Sequence, residues 1–171
     1  KYIRYADDFL IAVKGNREDC VEIKRKLTEF ISGTLKMELS DEKTLITHSS
    51  EKARFLGYDV RVRRNSSIKP HGKGQPTQRT LNNKVELLIP MDKINKFLFS
   101  KGIVRQKKCD EMFPISRVPL RNSTGLEIIT IFNAELRGIC NYYSLASNFC
   151  DLNYFNYLME YSCLKTLAAK H

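Results

Sequence analysis

The stretch Lys1-Tyr2-Ile3-Arg4-Tyr5-Ala6-Asp7-Asp8-Phe9-Leu10-Ile11-Ala12-Val13-Lys14 sets two adjacent carboxylates between two apolar runs. Aromatic and β-branched residues favour extended backbone, and Gly15-Asn16 closes the second run. A β-hairpin is therefore predicted over Tyr2 to Lys14, with Asp7 and Asp8 at its tip. Adjacent like charges repel, and burial would raise their pKa values rather than leave both ionised. A bound divalent cation offsets that repulsion. Mg²⁺ takes carboxylate and phosphate oxygens, and a two-metal site supports in-line phosphoryl transfer. On a regular strand the two side chains point to opposite faces, whereas a tight turn lets both face one cavity. A bare Asp-Asp pair also makes an ordinary surface turn. The full string Tyr5-Ala6-Asp7-Asp8, flanked by apolar strands, favours chemistry.

Working outward, Asn16 is predicted to cap a helix whose first turn carries Glu18 and Asp19, which suit the positive end of the helix dipole. Its apolar stripe is Cys20, Ile23, Leu27, Phe30 and Ile31, and Gly33 marks its end. A turn over Ser40-Asp41-Glu42-Lys43 leads to a strand over Thr44 to His48, and Leu56, Tyr58, Val60 and Val62 alternate as in a half-buried strand. Asn65 to Gln78 shifts to Ser, Gly, Pro, Lys and His, the composition of a loop or linker. Beyond it come an extended segment over Leu81 to Ile89 and a helix opened by Pro90, with Met91, Ile94 and Leu98 on one face. Residues 102–123 read as irregular. Thr124 and Glu127 form a capping-box pattern ahead of the stripe Ile128, Ile131, Phe132, Leu136, Ile139 and Tyr143. A last helix carries Tyr154, Leu158, Tyr161 and Leu164. The expected class is α+β: antiparallel strands plus a helix over 1–64, a basic linker over 65–84, and a mostly helical domain over 85–171.

The chain has 171 residues and a formal charge of +10, and that charge is concentrated. Between Arg61 and Lys108 stand 13 lysines and arginines against two acids, Glu86 and Asp92, which leaves the remainder near neutral. Such a stretch fits a polyanion, because each neutralised phosphate releases counterions; a solvated basic surface is the plainer alternative. No run of 18 apolar residues exists to span a bilayer, and no signal peptide precedes the first strand. The five cysteines form no C-x-x-C pair and the three histidines are isolated, so zinc is not expected. Free thiols in a reducing compartment fit the odd count. Lys1 opens in strand-like sequence where a natural protein begins with Met, so the sequence reads as a segment of a longer one.

Tyr5-Ala6-Asp7-Asp8 in a hairpin resembles the catalytic motif of reverse transcriptases, in the form used by group II introns. Leu39-Ser40-Asp41-Glu42-Lys43-Thr44 is similar to the family's next polymerase motif, which places a lysine near the nucleotide's phosphates. Phe55-Leu56-Gly57-Tyr58 resembles its primer grip. The segment from Glu127-Ile128-Ile129 through Arg137-Gly138-Ile139-Cys140-Asn141-Tyr142-Tyr143 resembles the thumb, or X domain, of intron-encoded maturases. The four motifs follow the family's order and cover nearly the whole chain.

The resemblance implies that Asp7 and Asp8 are catalytic metal ligands for Mg²⁺, in a two-metal site completed by an upstream aspartate outside this chain. It implies that Tyr5 and Ala6 lie under the primer terminus. Lys43 would contact the triphosphate or protonate pyrophosphate, and is otherwise a surface lysine. Phe55, Leu56, Gly57 and Tyr58 would position the primer, with Gly57 allowing close backbone approach; otherwise Gly57 is only a bulge. The run Arg61, Arg63, Arg64, Lys69, Lys73 and Arg79 would track template–primer or intron RNA. Arg137, Asn141 and Asn148, on an otherwise apolar segment, would bond RNA phosphates or bases. Intron RNA, template–primer and deoxynucleoside triphosphates are the implied partners. The implied setting is the bacterial cytoplasm, with an organelle as the alternative. Without the upstream carboxylate and fingers the segment alone is expected to be inert. Two other readings stay open: a splicing-only maturase whose polymerase has decayed, and a non-intron reverse transcriptase such as a retron enzyme.

Overall fold

The computed structural model describes residues 1–64, 82–106 and 111–170, together with the backbone of 68–69 and 78–79. The chain divides into two compact units: Lys1–Leu56 with Val60–Val85, and Gly57–Asp59 with Glu86–His171. The arrangement is α+β, as the sequence predicts.

In the first unit, strands β1 (Tyr2–Tyr5) and β2 (Asp8–Ile11) pair antiparallel, with Tyr2 opposite Ile11 and Tyr5 opposite Asp8. Helix α1 (Arg17–Thr34) starts where Asn16 predicts, and the Asn16 N–H donates to the Asp19 carboxylate at 2.8 Å. Cys20, Ile23, Leu27 and Ile31 are half-buried, whereas Phe30 is exposed. Gly33 lies inside the helix. The left-handed residue beyond its end is Lys36, at φ 53°. The expected strand over Thr44 to His48 does not form. Instead the Thr44 N–H bonds back to the Ser40 carbonyl at 3.0 Å, and the Thr44 carbonyl accepts from Lys24 Nζ at 2.9 Å. These groups thus serve a turn and a lysine rather than a neighbouring strand.

Strands β3 (Ala53–Phe55) and β4 (Tyr58–Val62) are joined by the two-residue turn Leu56-Gly57. Both turn residues are left-handed, at φ 46° and 78°, as the favoured two-residue hairpin turn requires. The single alternating run expected from Leu56 to Val62 is therefore broken at Leu56. Along β4 the buried residue is Asp59, between half-buried Tyr58 and Val60. Strand β7 (Val85–Leu88) completes the order β3-β4-β7. Two-residue strands β5 (Ile68–Lys69) and β6 (Gln78–Arg79) pair antiparallel. Residues 65–67, 70–77 and 80–81, most of the expected linker, lie outside the described residues. Among the described residues of the first unit, none is fully buried.

The second unit has the core. Helix α2 (Met91–Ser100) follows Pro90 and buries Ile94 and Leu98. Helix α3 (Gly125–Tyr142) begins at the predicted capping box: Thr124 N–H donates to Glu127 Oε2 at 2.7 Å, and Glu127 N–H donates to Thr124 Oγ1 at 3.2 Å. Ile128, Phe132 and Tyr143 are buried, and Ile131, Leu136 and Ile139 are half-buried, so the predicted stripe faces inward. The described residues 102–106 and 111–123 hold more regular structure than expected. Strands β8 (Val104–Gln106) and β9 (Met112–Pro114) pair antiparallel, and Val118–Leu120 makes a 3₁₀ turn.

Helix α4 (Leu152–Ala168) turns a different face inward than its spacing suggested. Leu158 is buried as expected, together with Leu152, Phe155 and Met159. Tyr154, Tyr161 and Leu164 are exposed, and on the outer face Tyr157 stacks on Tyr154 and meets Tyr161 at a tilt. Small polar residues fill the last inward positions. Ser162 Oγ donates to the Ile115 carbonyl at 2.7 Å, and Thr166 Oγ1 accepts from the Arg117 N–H at 2.9 Å. Buried hydroxyls are tolerated there because each is hydrogen-bonded.

Candidate catalytic hairpin and nucleic-acid interface

The β1–β2 turn is Ala6-Asp7, and Asp8 is the first residue of β2. Both carboxylates are exposed. Ala6 is held left-handed at φ 50°, and Arg4 Nε donates to the Ala6 carbonyl at 2.8 Å, bracing the turn from β1. A residue with a Cβ in this region carries about 1–2 kcal/mol of strain, and such strain concentrates at functional sites. The donor set is two carboxylates of hard oxygens, which suits Mg²⁺ in kind: that ion takes one or two carboxylates and completes its shell with waters and phosphates. Among the described residues no group of three or more His, Cys, Asp and Glu gathers to hold a metal.

Lys43 is exposed on a turn in the same unit as the hairpin. Its N–H donates to the Ser40 carbonyl at 3.2 Å, and Lys24 supports the turn from α1 through Asp41 at 3.5 Å.

The Phe55-Leu56-Gly57-Tyr58 segment is split between the units: Leu56 closes one stretch of the first, and Gly57–Asp59 belong with the helices. Within the second unit Tyr58 sits in a cluster of three rings. It stacks on Tyr142 at 5.8 Å between centroids and meets Tyr143 edge-on at 5.2 Å. The Tyr58 hydroxyl donates to the Tyr142 backbone carbonyl, and the Tyr143 hydroxyl donates to the Gly57 carbonyl at 3.3 Å. Burial pushes the Tyr58 phenol pKa up from its ordinary value. The sequence treated Tyr142 and Tyr143 as one core ring and a motif neighbour; their tie to the Gly57-Tyr58 segment had no local signal.

Of the basic run, Arg61 and Arg63 are half-buried on and just past β4, and Arg64 is exposed with Nη2 donating to Ser49 Oγ at 3.1 Å. Lys73 and the side chains of Lys69 and Arg79 lie outside the described residues. Arg137 and Asn141 are exposed one turn apart on α3. Asn148 differs from them. Its side-chain carbonyl accepts from the Ile89 N–H at 2.8 Å and its amide donates to Asp151 at 2.8 Å. That half-buried side chain has a bridging role within the unit.

A strand–turn–strand carrying paired carboxylates, followed by a helical unit, agrees with a reverse-transcriptase-type segment joined to a maturase segment. The chain belongs to the type II intron maturase family, whose model matches residues 82–171; the model for reverse transcriptase (RNA-dependent DNA polymerase) matches residues 1–60. The group II intron-encoded protein LtrA of Lactococcus lactis subsp. cremoris is 66% identical over 172 residues, covering all of this chain and 28% of that protein. A protein of COX1/OXI3 intron 1 from Saccharomyces cerevisiae is 36% identical over 177 residues, covering 100% of this chain and 21% of its own length. The chain thus spans under a third of the curated relatives it matches. Among the described residues no helix is long and apolar enough to cross a membrane.

Proposed function

We propose that the protein to which this chain belongs is an RNA-directed DNA polymerase of a group II intron that also acts as its splicing maturase. The braced, left-handed Ala6 turn carrying Asp7 and Asp8 supports this reading most directly. Asp7 and Asp8 would hold Mg²⁺, which supplies charge stabilisation for phosphoryl transfer. Lys43 would orient the deoxynucleoside triphosphate, and could give a proton to the leaving pyrophosphate. Tyr5 and Ala6 would lie beneath the primer end, and Phe55 to Tyr58 would align it. Arg61, Arg63, Arg64 and the Lys69–Arg79 segment would follow the nucleic-acid backbone. Arg137 and Asn141 would touch intron RNA from the outer face of α3.

The test is Asp7→Asn in the full-length protein. A carboxamide lacks the charge that holds Mg²⁺, so metal-dependent primer extension should be lost while intron RNA binding and splicing persist. Near-normal extension by the variant would refute the catalytic assignment. Splicing by the wild-type protein without any extension would instead support a splicing-only maturase.

A further inference from the structure

We infer that Tyr142 and Tyr143, at the C-terminal end of α3, are positioning residues for the primer end, acting through Gly57 and Tyr58. The inference rests on the polymerase reading above and adds to it which side chains hold the primer-aligning turn.

Three observations within the second unit converge. First, two hydrogen bonds run in opposite senses between the segments: Tyr58 hydroxyl to Tyr142 carbonyl, and Tyr143 hydroxyl to Gly57 carbonyl at 3.3 Å. Paired contacts of this kind fix both the height and the rotation of a short backbone segment. Second, the rings of Tyr142 and Tyr143 are perpendicular, 5.0 Å apart, and Tyr58 contacts both. Tyr143 is 4% exposed and joins the core, so the contact is anchored rather than mobile surface packing. Third, Gly57 is left-handed at φ 78°, and a methyl added there would lie 2.7 Å from Tyr142 Oη and 3.2 Å from its ring. The glycine therefore meets two demands, backbone geometry and room for the Tyr142 ring.

Consequently Gly57 and Tyr58 are held within the helical unit. The carboxylates of the β1–β2 hairpin belong to the other unit. Primer alignment and metal binding are thus separable by mutation, which the test exploits.

The experiment is steady-state primer extension by the full-length protein carrying Tyr58→Phe, Tyr143→Phe, Gly57→Ala, or Gly57→Ala with Tyr142→Phe. Each is compared for kcat, for KM toward template–primer, and for melting temperature. Removing one hydroxyl should lower kcat about two- to tenfold, as expected for one lost hydrogen bond. KM for template–primer and the melting temperature should change little. Gly57→Ala should lose more, and adding Tyr142→Phe should recover part of that loss by removing the atom 2.7 Å from the new methyl. Wild-type kcat in both Tyr→Phe variants, or no recovery in the double variant, would overturn the inference. A fall in kcat that follows the fall in melting temperature across all variants would also overturn it, because that is the signature of a structural role alone. Asp7→Asn, run alongside, separates the two ideas. If it extends primers normally the polymerase reading fails and takes this inference with it. If it is inactive while the tyrosine variants are normal, positioning alone is wrong.

Discussion

Arg117 and Glu135 form a two-pronged ion pair in the helical unit, with Nη1 and Nη2 donating to the two carboxylate oxygens at 2.9 and 3.0 Å. Lys101 Nζ lies 3.1 Å from the same carboxylate, and the guanidinium sits over the Phe132 ring at 5.6 Å. Side-chain exposure is 9% for Arg117 and 16% for Glu135. Removing one partner from a pair this sheltered leaves a charge without compensation. Glu135→Ala should therefore destabilise the chain by about 3 kcal/mol in urea unfolding. Replacing both Arg117 and Glu135 with Leu should cost less than the single change. A single-variant loss under about 1 kcal/mol would mean the pair behaves as an exposed one.

The α3 cap makes stability depend on acid. The Thr124 backbone N–H and hydroxyl hold the Glu127 carboxyl below its ordinary value of 4.5. A depressed folded pKa contributes stability that is present above the unfolded value and lost as pH falls through the folded one. Melting temperature should accordingly decline as pH drops below about 4.5. Glu127→Gln keeps a hydrogen-bonding side chain at this position and should weaken that pH dependence. Thr124→Ala should cost about 1 kcal/mol at neutral pH.

Thiol labelling should sort the cysteines by environment. Burial raises the Cys140 and Cys163 thiols above the usual 9.0, which leaves them little thiolate at neutral pH. Cys150 is exposed. Alkylation of the native chain followed by peptide mass mapping should mark Cys150 well before Cys140 or Cys163. Early labelling of Cys140 would show that α3 opens.

Salt dependence addresses the basic stretch. If Arg61, Arg63 and Arg64 contact phosphates, affinity for structured RNA should fall steeply with added salt, and replacing all three with Ala should flatten that slope. Arg137→Ala or Asn141→Ala should instead weaken cognate intron RNA more than random RNA. Filter binding across a salt series, with melts of each variant, reads both effects. An unchanged slope in the triple variant would assign the charge to a solvated surface.

Local signals were enough wherever a residue's role depended on its neighbours in the chain. Asp7-Asp8 between β-prone runs specified the hairpin, Asn16 and Thr124-x-x-Glu127 placed two helix starts, and Pro90 placed a third. The inward stripe of α3 followed from its 3.6-residue period. Those choices are made by backbone preference and capping, which act over a few residues.

Tertiary packing decided the rest. Large side chains stand on both faces of α4, Leu152, Phe155 and Met159 on one and Tyr154, Tyr157 and Tyr161 on the other, so periodicity could not say which is inside. Ser162 and Thr166 select the buried face only because Ile115 and Arg117 offer them partners. The paired strands β8 and β9 are three residues each, too short for alternation to register. The Thr44 carbonyl, expected in a strand, accepts instead from Lys24, 20 residues away in sequence. The two anchors of the Gly57-Tyr58 segment, Tyr142 and Tyr143, stand more than 80 residues further along the chain. Their hydroxyl–carbonyl pairs exist only once α3 has packed, because a hydrogen bond between distant segments has no sequence signature until the fold brings its donor and acceptor together.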